Sequence, residues 1–71
     1  MTLFCVEQSF RIPSEGNLED FTEEIDSLIG RFPTLRILIS PYETKSEDYF
    51  FKIKGSEEEV NEFGVYLQTR N

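Results

Sequence analysis

The chain has no histidine and only one cysteine, Cys5. Without histidine, the commonest general base is missing. A single thiol excludes an internal disulfide, and no Cys or His cluster is present to hold a structural zinc ion. Cys5 lies near the start of an alternating stretch. No local base or helix N-terminus is there to depress its pKa, so it reads as a small residue on a sheet. The glycines are few and far apart: Gly16, Gly30, Gly55 and Gly64 form no phosphate-cradling loop. No calcium loop occurs either, because that needs acids at alternate positions around a glycine. Carboxylates are plentiful, but a catalytic pair needs a pocket that drives their pKa values apart. A domain this small barely encloses one. The expectation is a non-enzymatic protein with no catalytic residue, no metal and no cofactor.

Long apolar runs are also missing. No stretch approaches the roughly 20 residues of a membrane span. The first residues lack the basic start and cleavage site of a signal peptide. Thr2 stands where N-myristoylation requires glycine. With a lone thiol and no glycosylation sequon, a cytoplasmic location without membrane contact is expected. Basic residues are scarce, seven against fourteen acids, for a formal charge of −7. That balance argues against a general binder of nucleic acid or anionic membranes.

Seventy-one residues make one domain, 1–71. A chain of this size buries only about 60% of its unfolded surface and is marginally stable alone. With disulfides and metals excluded, oligomerisation is the staple that remains. The seven Phe and three Tyr residues are a partial substitute, because each buries a large area.

What the chain does contain is a clear alternation of elements. Residues 3–12 have period two, with Phe4, Val6, Phe10 and Ile12 on one side, Gln8 among them, and Leu3, Cys5, Glu7, Ser9 and Arg11 on the other. Pro13 ends this strand. Asn17 is an N-cap for a helix near 18–30, whose apolar stripe is Leu18, Phe21, Ile25, Leu28 and Ile29. Gly30 and Pro33 stop it. Leu35, Ile37 and Ile39 alternate with Arg36, Leu38 and Ser40 in a second strand, which Pro41 is expected to end. Residues 42–47 read as a polar connection. Tyr49, Phe51 and Ile53 alternate with Phe50, Lys52 and Lys54 in a third strand that stops at Gly55. Ser56 and Glu59 form a capping box for a second helix over 57–69, with Val60, Phe63 and Leu67 as its stripe.

The fold class is therefore α+β, a two-layer βαββα domain. Both helices should cover one face of a three-stranded sheet, with strand one beside strand three. The layout resembles a ferredoxin-like fold without its last strand, an analogy of topology that carries no function. The alternative is that residues 65–69 form a fourth strand beside strand one.

Two surfaces are candidates for binding. The first helix carries Glu19, Asp20, Glu23, Glu24 and Asp26 with no basic residue to offset them. Glu19 and Asp20 suit the helix N-terminus, whereas Glu23, Glu24 and Asp26 lie beyond the first turn. A solvated face explains them plainly; a contact for a basic partner explains them functionally. The second surface is the side of the sheet away from the helices, where alternation places Leu3, Arg36, Leu38, Phe50, Lys52 and Lys54 with Cys5 and Arg11. Basic residues among aromatics can track single-stranded nucleic acid. No ribonucleoprotein motif surrounds Phe50, however, and the apolar Leu3, Leu38 and Phe50 favour a protein contact. Strand one, if it is an edge, offers unpaired backbone groups.

The best reading is a small acidic module that acts through a protein partner, as an inhibitor, adaptor or accessory subunit. Phage-type anti-defence inhibitors fit that description at the level of class. A homodimer through the sheet face or the strand-one edge accompanies it. The alternatives are a dimeric module holding a small ligand, and single-strand binding through the sheet.

Overall fold

A computed structural model describes residues 5–69 of the chain. The element order is β1 (Cys5–Pro13), α1 (Leu18–Ile29), β2 (Arg36–Glu43), β3 (Asp48–Ser56) and α2 (Glu57–Thr69). The sheet order is β1-β3-β2 and both pairings are antiparallel, so β1 and β2 run parallel with β3 between them. This is the βαββα arrangement expected, with strand one beside strand three.

Burial explains why the central strand is β3. Its inward residues Tyr49, Phe51 and Ile53 are all buried, and they alternate with Phe50, Lys52 and Lys54. Phe21 and Ile25 reach this floor from α1, and Val60, Phe63 and Leu67 reach it from α2. From β1, Phe10 stacks on Phe51 at 5.2 Å and meets Phe63 edge-on at 5.5 Å. Aromatic pairs of this geometry add about 0.5–1.5 kcal/mol each beyond the area they bury. α1 packs over β2, while α2 packs over β3 and β1.

Local chemistry fixes the helix starts. The Asn17 side chain accepts from the Asp20 N–H at 2.8 Å, which is ordinary N-capping. At α2 the Ser56 hydroxyl accepts from the Glu59 N–H at 3.3 Å. The reciprocal arm of the capping box is replaced. The Glu59 carboxylate accepts instead from the Thr34 N–H at 3.0 Å and from its hydroxyl at 2.7 Å. The Thr34 hydroxyl in turn accepts from the Ser56 N–H at 3.1 Å. Thr34 thus ties the α1–β2 connection to the start of α2.

Residues 65–69 are the last turns of α2, not a fourth strand. Leu67 continues the buried stripe of Val60 and Phe63, and the Thr69 hydroxyl donates back to the Val65 carbonyl at 3.0 Å.

The second strand differs most from expectation. Pro41 does not end it; β2 runs on to Glu43 with Pro41 buried inside it. Proline is tolerated there because β2 is an edge strand and Pro41 sits in an irregular stretch of the ladder. Register shifts occur between Ile37 and Ile39 and again between Ile39 and Tyr42. The expected inward alternation of Leu35, Ile37 and Ile39 therefore fails at its third member. Ile39 lies opposite Lys52, and opposed residues of an antiparallel pair share a face. Ile39 faces outward.

Candidate functional site

The helices cover one face of the sheet, and the other face carries the candidate site. Arg11, Arg36, Lys52 and Lys54 share that outer face, as β-alternation requires: Arg11 lies opposite Phe50, and Arg36 opposite Lys54. The cations are held in different ways. Lys52 Nζ lies 2.9 Å from Glu7 Oε1 across β3 and β1. This hydrogen bond and charge hold the Glu7 carboxyl below its ordinary value, with Lys54 adding to the effect and burial opposing it. Arg11 is 4.0 Å from Asp48, a looser contact. Arg36 and Lys54 are like charges directly opposed, an unfavourable pairing. The Arg36 guanidinium turns back onto the carbonyls of Leu35, at 2.7 Å, and Pro33, at 3.1 Å.

Beside these charges is an apolar patch at the β2 edge. Leu38, Ile39 and Tyr42 are 46%, 39% and 47% exposed. The Tyr42 ring lies 5.6 Å from that of Phe50, tilted by 53°. Phe50 is therefore half-buried beneath Tyr42 rather than a bare platform. Sequence reasoning placed Leu38, Phe50, Lys52, Lys54 and Arg36 on this face and missed Ile39 and Tyr42. The readable signal was Pro41, a residue compatible with a bulged edge strand that continues into Tyr42. Leu3, assigned to the same patch, lies outside the described residues.

The acidic residues Glu19, Glu23, Glu24 and Asp26 are all exposed on α1. Phe21 and Ile25 face the core, so the acids point away from the sheet. The structure does not bring the two candidate surfaces together: they lie on opposite sides of the two-layer fold. Asp20 is engaged in the cap, where its carboxylate accepts from the Asn17 side-chain amide at 3.2 Å.

A third feature lies at the other edge of the sheet. An open groove of about 240 Å³ runs between β1 and α2, lined by Gln8, Phe10, Val60, Asn61, Gly64, Val65 and Gln68. No charged side chain lines it. Val65 is 60% exposed at its rim.

No described helix is long and apolar enough to cross a membrane. Comparison with family models, curated proteins and solved structures finds no match.

Proposed function

We propose that this chain is a small acidic, non-enzymatic protein-binding module, an inhibitor, adaptor or accessory subunit that holds a protein partner on the open face of its sheet. One observation carries the reading: Leu38, Ile39 and Tyr42 are exposed together on that face, beside Phe50, Lys52 and Lys54. Protein interfaces pair an apolar and aromatic centre with a polar rim, and this surface has that composition. The tilted Tyr42 and Phe50 rings do not form one flat platform for stacking successive bases. The acidic residues of α1 would serve as a second, electrostatic contact for a basic region of the same partner or another. A second copy of the chain, joined through the sheet, belongs to the same reading.

The test is affinity capture from the source cell with four tagged forms of the chain. A protein retained by the wild type and lost with Leu38→Asp and Tyr42→Asp is expected. Glu23→Lys combined with Glu24→Lys should weaken the capture and flatten its salt dependence. Retention of the partner by the Leu38 and Tyr42 variants, with their fold intact by circular dichroism, would remove the open face from the proposal.

A further inference from the structure

The backbone of β1 shows which of its groups are free. The Ser14 N–H donates to the Glu47 carbonyl at 3.0 Å, which continues the β1–β3 register one step past Pro13 and Asp48. Hydrogen-bonding direction alternates along a strand. The even-numbered residues of β1 thus bond to β3, and Cys5, Glu7, Ser9, Arg11 and Pro13 turn their backbone groups outward. Pro13 has no N–H to leave unpaired there. β1 is an edge strand, so Glu7, Ser9 and Arg11 turn a row of donors and acceptors outward; the Ser9 carbonyl accepts a long 3.3 Å bond from the Gln8 side-chain amide, which an added strand would displace.

The side chains of this row are self-complementary. Two copies of β1 related by a two-fold axis pair antiparallel, and residue i then contacts j while j contacts i. Only odd-numbered residues have outward-facing backbone groups, so the axis must pass through a residue. Centring it on Ser9 sets Glu7 opposite Arg11 of the second copy, twice. Centring it on Gln8 or Phe10 opposes no unlike charges. With Ser9 at the centre, charge alternates in sign along a row of four: Lys52 and Glu7 of one copy, already 2.9 Å apart, then Arg11 and Asp48 of the other, 4.0 Å apart.

The inner side agrees. In that register Val6 faces Ile12 of the second copy and Gln8 faces Phe10. A strand added about 4.8 Å from β1 extends the floor of the uncharged groove under Val65. α1 and its acids pack over the far strand β2; α2, which packs over β1, turns the uncharged Asn61, Val65 and Gln68 to the groove.

The geometry points to a homodimer formed by antiparallel pairing of β1 with β1 of a second copy, centred on Ser9 and held by reciprocal Glu7–Arg11 contacts. This deepens the reading of the sheet as the binding layer. It leaves the open face free for a protein partner.

The test uses sedimentation of the full chain with a charge swap. The wild type is expected to dimerise. Glu7→Arg or Arg11→Glu alone should each weaken the dimer about tenfold, since each replaces two attractive cross-strand contacts with repulsive ones. An equimolar mixture of the two variants should recover a heterodimer, because both contacts are then between unlike charges. Independently, Ser9→Cys in a Cys5→Ser background should form a disulfide-linked dimer on mild oxidation. Cα atoms of such a pair lie about 5.5 Å apart. A wild type that stays monomeric at high micromolar concentration overturns the dimer, even if Tyr42 still captures a protein. A dimer lost with Tyr42→Asp, indifferent to the charge swap and not linked through position 9, also overturns this arrangement, and places self-association on the open face.

Discussion

The Tyr42 and Phe50 rings lie 5.6 Å apart on the face of the sheet that the helices leave open. Tyr42 is 47% exposed, so this pair adds little to the core. A double-mutant cycle with Tyr42→Ala and Phe50→Ala should give a coupling of about 0.5–1 kcal/mol. Phe51→Ala, one position along and fully buried, should cost about 3–5 kcal/mol. Urea unfolding separates the two. A Tyr42→Ala cost as large as that of Phe51→Ala would make the pair structural.

Two glycines should respond to alanine with opposite signs. A β-carbon at Gly55 would lie 2.5 Å from Leu35 Cδ2 and 3.1 Å from the Thr34 carbonyl oxygen. Gly55→Ala should therefore destabilise by about 1–3 kcal/mol through overpacking. A β-carbon at Gly64 meets only the Phe10 ring, at 3.7 and 3.9 Å, and Gly64 sits inside α2. Gly64→Ala should stabilise by up to about 1 kcal/mol through helix propensity. Denaturation midpoints in urea read both.

Thr34 is the joint between the two ends of the helical layer. Its hydroxyl accepts from the Ser56 N–H and donates to Glu59. Thr34→Val keeps the shape and deletes both bonds, so a loss of about 1–2 kcal/mol is expected. Thr34→Ser should retain most of the stability. Equal losses in the two variants, measured by thermal unfolding, would show that the hydroxyl is not what matters.

The Glu7 carboxyl titrates below its ordinary value because of Lys52. A carboxylate depressed in the fold contributes stability above its unfolded pKa, and that contribution is lost as pH falls through the folded pKa. The affected window runs from the ordinary glutamate range, near pH 4.3, downward. Lys52→Met should move the Glu7 midpoint up toward the ordinary value and remove this part of the acid dependence. Carbon-detected titration of Glu7 in the two proteins checks it; an unchanged midpoint would contradict the pairing.

How much of this was legible in the sequence depended on range. The helix starts were local: Asn17 and Ser56 each announced a cap, and the structure has both. β3 was legible because Tyr49, Phe51 and Ile53 alternate without interruption. That β2 exists was legible too, but its run to Glu43 and its two register shifts were not, because they are set by pairing with β3. Ile39 and Tyr42 were missed for that reason, and Pro41 was read as a stop. The Glu59 side chain was expected to reach back to Ser56; Thr34, distant in sequence, took its place. The basic side of the sheet was legible from alternation alone. Its apolar centre needed the bulges.

Site-specific photo-crosslinking tests the central claim most directly. A benzophenone side chain is placed at Tyr42 in one form of the chain and at Gln68, by the groove, in another, and each is irradiated in the source cell. A defined protein adduct from position 42 that disappears with Leu38→Asp is the expected result. A nucleic-acid adduct at position 42, or no adduct there from a folded and expressed chain, would contradict the assignment of the open face to a protein partner.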